Sequence, residues 1–114
     1  MRSDYPKIIG CKVYGIIDRP IGSCHPHDKE MIYPINYGYV KNVFAEDGEE
    51  QDIYLLGVDV PVNMFEGCVI AVYRRSDDIE DKWIVSADGK DYPDEVILEK
   101  IAFQEQFFHG KLLR

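Results

Sequence analysis

Long apolar runs are missing from this sequence. The longest, such as Leu55-Leu56 and Val69-Ile70-Ala71-Val72-Tyr73, fall far below the roughly 18–20 residues that carry a helix across a bilayer, so no membrane span is expected. Cysteine is scarce. Cys11, Cys24 and Cys68 are odd in number and form no C-x-x-C pair, which argues against a disulfide framework and against a dithiol redox motif; they read as reduced, structural thiols. Basic residues are outnumbered, 13 Lys and Arg against 21 Asp and Glu, giving a net charge of -8. A pI near 4.7 opposes the counterion release that drives nucleic-acid binding. There is no internal repeat, low-complexity segment or linker. Asp4 and Pro6 stand where a secretory signal would need an unbroken apolar stretch. The expectation is a cytoplasmic protein with neither membrane nor nucleic acid as partner.

What is present is enough apolar material for one core. The 114 residues are 46% hydrophobic and 12% aromatic, which excludes a disordered chain and leads us to expect a single domain over 1–114. Alternation and β-branched or aromatic enrichment predict strands at Lys12–Ile17, Asn36–Phe44, Asp52–Leu56, Gly67–Arg75 and Lys82–Ala87. The Asp47-Gly48 pair between the second and third of these signals a hairpin. The order reads as a meander. The segment from Asp18 to Glu30, with Pro20, Gly22 and Pro26, reads as an irregular loop.

Near the C-terminus, Ile97, Ile101 and Phe108 recur at helical spacing, with Leu98 and Ala102 widening the stripe. Pro93 suits the first turn, Asp94 and Glu95 complement the positive end of the helix dipole, and Gly110 can stop the helix. A helix over Pro93–His109 is predicted. Several short strands and one terminal helix give a mainly β fold with one C-terminal helix (α+β). An OB-like five-stranded closed barrel removes the edges an open sheet would expose, and the helix would plug or flank it.

Acidic residues cluster in two turns. Asp47, Glu49, Glu50 and Asp52 lie within one tight turn that feeds a strand, and oxygen ligands at this density suit hard cations, Mg²⁺ in particular, held by one or two carboxylates with water and substrate phosphates. A second turn holds Asp77, Asp78, Glu80 and Asp81, followed by Lys82. Either turn alone more often faces water. Facing each other across a barrel mouth, they would hold more than one metal ion. An acidic protein accepts an anionic ligand when cations are carried into the site between its carboxylates and the ligand.

Two other segments carry chemistry. In Tyr33-Pro34-Ile35-Asn36-Tyr37-Gly38-Tyr39, Tyr37 and Tyr39 share one side of a strand, and phenolic hydroxyls donate to phosphate without adding charge, although strand aromatics more often pack. Gly38 between two tyrosines signals close backbone approach. Cys24-His25-Pro26-His27-Asp28 offers thiol, imidazole and carboxylate, but Cys11, Cys68 and His109 show no matching zinc spacing, and no elbow motif supports a Cys/His nucleophile.

At these residues the sequence resembles the family I soluble inorganic pyrophosphatases, as a short, truncated variant. Ile32–Tyr39 resembles the family's Y-P-x-N-Y-G-Y strand, and Asp47–Asp52 falls where the family carries D-G-D-P-x-D. Phe65–Ile70 resembles the strand after its P-G motif, and the turn ending in Lys82 resembles its second acidic cluster. The resemblance covers roughly Lys12 to Phe108. It implies Mg²⁺-dependent hydrolysis of pyrophosphate to two phosphates by a metal-activated water.

Carried over residue by residue, the resemblance implies metal-binding roles for Asp47 and Asp52 and water activation by Glu49. Tyr33, Tyr37, Lys82 and Lys12 become phosphate-side groups, with Tyr37 and Asp47 also in the catalytic set. Asp77 and Glu80 would complete the metal sites, the register among Asp77, Asp78, Glu80 and Asp81 staying open. The chain also departs from the family. Glu49 replaces an aspartate, Glu50 a proline, Tyr14 an early glutamate, and Phe107-Phe108 a Tyr-Lys pair beside which Lys111 lies. Near His25 the family carries an arginine, for which Arg19 would substitute. These departures imply weakened or altered activity, and they sustain an alternative: a catalytically impaired module that binds a phosphate-containing ligand or partner without hydrolysing it. An OB-like nucleic-acid binder is disfavoured by the acidity. A homo-oligomer is a generic expectation.

Overall fold

The computed structural model describes residues 6–45, 47–77 and 80–114. Five strands close into a mixed barrel: β1 (Lys12–Arg19), β4 (Asn36–Phe44), β5 (Glu50–Leu56), β7 (Asp81–Ser86) and β6 (Met64–Arg75), in that spatial order, with β6 returning to pair with β1. A two-strand hairpin, β2 (Cys24–His25) and β3 (Asp28–Ile32), precedes β4. Helix α1 (Asp94–Glu105) follows β7, and β8 (Gly110–Leu113) adds to the free side of β6. The OB-like closed barrel expected from the sequence is therefore present.

The connectivity differs from the predicted meander. β5 pairs with β7 in parallel, and β6 lies between β7 and β1, antiparallel to both. The long β6 supplies the crossover that parallel neighbours require, and it serves as the strand that shuts the barrel. The segment from Asp18 to Glu30 is not wholly irregular either, since it contains β2 and the start of β3.

Strand burial follows from the closed wall. β1 alternates, with Val13, Gly15 and Ile17 inward and Lys12, Tyr14 and Asp18 outward. β5 is buried on both sides: Ile53 and Leu55 join Val13, Ile17, Val40, Phe65, Val69 and Val85 inside the barrel, while Tyr54 and Leu56 face outward beneath α1. The helix therefore flanks the barrel. At Gly38, a Cβ would collide with the backbone of Ile16 and Ile17, which accounts for the glycine between two tyrosines.

The helix is shorter than predicted. Ile97 and Ile101 are buried, but Leu98 and Ala102 face solvent, and the buried stripe continues through Gln104 and Glu105 instead. Residues 106–108 turn, and Gly110 begins β8 on the edge of β6. The chain leaves the helix at Glu105 because that side chain and Phe108 are both fastened to Arg75 at the end of β6.

Candidate phosphate-binding pocket

Five elements converge at one mouth of the wall beneath α1. Tyr37 comes from β4, Asp52 from β5, Lys82 from β7, Arg19 from the end of β1 and Arg75 from the end of β6, with Glu80 in the turn before β7. They line a cavity of about 360 Å³, closed on its other side by residues from β2, β3 and the end of α1.

Lys82 is the hub. Its ammonium donates to the Tyr37 hydroxyl at 2.8 Å and to Asp52 Oδ2 at 2.7 Å, and pairs with Glu80 Oε2 at 3.1 Å. Its side chain is only 4% exposed, whereas Asp52 keeps 35% and Glu80 27%, so the acids face the cavity opening more than the lysine does. Burial pushes the Tyr37 phenol well above its ordinary range, and the negative charge of Asp52 adds to the effect. Tyr37 is consequently a neutral hydroxyl at physiological pH.

From this hub a polar chain runs around the pocket. Arg75 donates to Glu80 Oε2 at 2.7 Å and grips Glu105 with Nε and one terminal nitrogen, both at 2.8 Å. Tyr54 donates to Glu105 at 2.5 Å and accepts from Gln104 at 2.8 Å; Gln104 in turn accepts from Tyr33 at 2.9 Å. Arg19 closes the arc, donating to the Tyr33 hydroxyl at 2.7 Å with its guanidinium 5.2 Å from the centre of the Tyr37 ring. Among the described residues, no buried side-chain nitrogen or oxygen lacks a partner. Such a network is rigid, because most of its members are fixed by two or more others.

Of the residues singled out in the sequence, the structure brings Arg19, Tyr33, Tyr37, Asp52, Glu80 and Lys82 together. Others lie elsewhere. Lys12 pairs with Glu66 at 2.6 Å on the exposed surface. Asp47 accepts from the Glu49 amide in the β4–β5 turn, and Asp77 accepts from the His109 amide at 3.2 Å; neither they nor Glu49 line the pocket. Asp81, an alternative in the second acidic turn, faces Arg74, while Asp78 and the turn residue Glu46 lie outside the described residues.

This arrangement does not fit a resident Mg²⁺ centre. Among the described residues, no three His, Cys, Asp or Glu side chains converge as metal ligands, and the two pocket carboxylates already have cationic partners, Asp52 in Lys82 and Glu80 in Lys82 and Arg75. The four-carboxylate set Asp47, Asp52, Asp77 and Glu80 is thus not assembled here. Cys11, Cys24 and Cys68 are free thiols, and among the described residues none of them belongs to a metal-binding cluster.

Sequence reading missed Arg75, Gln104 and Glu105. A signal was available: Gln104 and Glu105 fall three and four residues after Ile101, on the helix face that ought to be apolar. Polar residues at core-facing positions need buried partners, and Arg75 at the end of an apolar strand is the complementary one.

The geometry defines an OB-like barrel with a polar pocket on its flank, lined by Arg19, Arg75 and Lys82 together with Asp52 and Glu80. Its fold is shared with solved inorganic pyrophosphatases. The enzyme from Ehrlichia chaffeensis matches with a TM-score of 0.69 at 18% identity, over 96% of this chain and 88% of that one. That from Thermus thermophilus gives 0.62 at 19% identity, over 96% and 86%, and that from Helicobacter pylori 0.64 at 18%, over 92% and 84%. No protein-family model matches this sequence, and no curated protein matches it significantly. At these identities the likeness carries the fold.

Proposed function

We propose that this chain, acting as one domain over 1–114, binds pyrophosphate in the Arg19–Tyr37–Lys82 pocket and hydrolyses it to two phosphates. The observation that carries the reading is the convergence of two cations and a neutral phenol beside Asp52 on a pyrophosphatase fold. Arg19 presents a planar fork to phosphate oxygens, Lys82 a point charge, and Tyr37 an uncharged donor. Together they hold the substrate and neutralise charge that builds on the departing phosphate. Asp52, the exposed end of the Lys82 pair, is the carboxylate placed to orient water. Mg²⁺ belongs to the reading as a companion of the substrate, carried in on phosphate oxygens and water. The thiols of Cys11, Cys24 and Cys68 are free, which suits action in a reducing cytoplasm.

Lys82→Met removes the hub charge. Phosphate release from pyrophosphate, measured with Mg²⁺ and with EDTA, is expected to fall about 100-fold or more in this variant and in Asp52→Asn. Turnover unchanged in both would overturn the assignment. Asp47→Asn and Glu49→Gln, on the hairpin tip, test whether the roles implied by the resemblance operate at all.

A second reading has its own observation. Lys82 already occupies both Asp52 and Glu80, so the pocket favours holding a phosphate over activating water. Calorimetric binding of pyrophosphate with no phosphate release above the Lys82→Met background would select this binding-only module.

A further inference from the structure

The pocket is longer and more apolar than a bare pyrophosphate uses. Besides the charged groups its lining includes His25, Met31, Phe107 and Phe108. A second cavity of about 280 Å³ adjoins it, with Met31 and Phe107 lining both. Phe103 and Gln106 line that cavity, and Asp28 and Glu30 bring carboxylates to it. The lining therefore runs from a mixed end of three cations and two carboxylates, through aromatic and thioether surface, to an end with acids and, among the described residues, no cation. Volumes of this order, about 300–1,000 Å³ in sum, are those of organic ligands.

The aromatic stretch is the informative part. Phe107 is 65% exposed although it sits between two cavities, whereas Phe108 is covered by the Arg75 guanidinium, 3.6 Å from its ring centre. The His25 ring, which lines the first cavity, lies parallel to the buried Tyr33 ring behind it, their centres 6.4 Å apart. An exposed ring at this place gains most from a planar partner with apolar faces.

Resting on the pocket assignment above, we infer that the extended cleft selects a nucleoside diphosphate over inorganic pyrophosphate. The diphosphate occupies the Arg19 and Lys82 end. The base lies against Phe107 and Met31, and Asp28 and Glu30 accept hydrogen bonds from ribose hydroxyls or an exocyclic amine. The bond broken is of the same class: a water oxygen joins the terminal phosphorus, the bridging oxygen leaves with the nucleoside monophosphate, and the water's proton passes to the released phosphate or to solvent. Charge sets the orientation: Arg19, Arg75 and Lys82 outnumber Asp52 and Glu80 at one end, whereas the reverse pose would put phosphates against Asp28 and Glu30, with no cation among the described residues lining that cavity.

Titration calorimetry of the full chain with ADP and with pyrophosphate, both with Mg²⁺, tests this. ADP is expected to bind about tenfold more tightly than pyrophosphate, and Phe107→Ala to erase about that factor for ADP while leaving pyrophosphate unchanged, the size expected of one base stacked on one ring. The exposed position of Phe107 lets the variant fold. Lys82→Met weakens both ligands. If pyrophosphate binds and ADP binds no better, or if Phe107→Ala leaves ADP binding intact, the inference is overturned while the pocket assignment stands. If neither ligand binds, the pocket assignment falls and the inference with it.

Discussion

Inside the barrel, Val13, Ile17, Val40, Ile53, Leu55, Val69 and Val85 close on one another with Phe65, whereas on the outer side of the wall Tyr37, Tyr54 and, from the link before β4, Tyr33 are buried beside Arg75, Gln104 and Glu105. β5 serves both regions with alternate residues. The interior is held by dispersion and by removal of apolar surface from water, forces that tolerate exchange among similar shapes. The outer face depends on directed bonds, in which each buried charge is bearable only while its partners stay in place. A region of the second kind costs more to disturb, and it is the region that carries the pocket.

The sharpest way to break that contrast is to remove one member of the Arg75–Glu105 pair, whose side chains are 5% and 3% exposed. Glu105→Ala removes two of the hydrogen bonds of a buried guanidinium that keeps Glu80, and is expected to cost about 3 kcal/mol in urea unfolding. Combining Arg75→Met with Glu105→Leu removes both charges and should recover most of that loss; a double variant as unstable as the single one would contradict the account. In the interior, Leu55→Ala leaves a cavity in a fully buried site and is expected to cost about 2–5 kcal/mol by the same measurement, whereas Ile53→Val should cost only about 0.5–1.5.

Acid sharpens the comparison further, because only the outer face titrates. Burial works against ionisation of Glu105, but hydrogen bonds from Arg75 and Tyr54 prevail and its carboxyl lies below its ordinary value of 4.5. A depressed carboxylate stabilises the fold at pH above its unfolded value and loses that contribution as pH falls through the folded one. Stability should therefore be level above about 4.5 for this group and decline below it. In Arg75→Met/Glu105→Leu the decline should be visibly shallower. The smallest effect belongs to the barrel's solvent side: Tyr14 is 71% exposed and Met64 69%, and Tyr14→Ser or Met64→Ser should change unfolding free energy by no more than about 0.5 kcal/mol.

How much of this was legible beforehand differs between the two regions. The strands of the barrel announced themselves through alternation and turn residues, and the Asp47-Gly48 reversal is present, with Gly48 at a φ of +86°. The parallel partnership of β5 and β7 was not legible, because register and neighbour choice depend on how β6 curls back to β1. In the pocket, Tyr37, Asp52 and Lys82 were marked by residue type and order along the chain. Arg75 and Glu105 were not, since thirty residues separate them and their meeting needs α1 to lie across the wall. The two acidic turns looked like one metal-binding mouth in sequence, yet Asp47 accepts from the amide of Glu49 in its own turn and Asp77 from the distant amide of His109.

By itself the sequence determined what repeats locally: a mainly β chain, one amphipathic helix, an acidic surface, and a tyrosine strand followed by acids and a lysine. Periodicity and turn chemistry act over a few residues and are written where they act. Tertiary structure alone decided that Lys82 would sit between Asp52 and Glu80, that Arg19 would reach Tyr33, and that Phe107 would stand uncovered between two cavities. Those relations join elements distant in the chain, and they arise only when barrel closure fixes which strand ends share a mouth and where the helix must lie to bury its polar stripe.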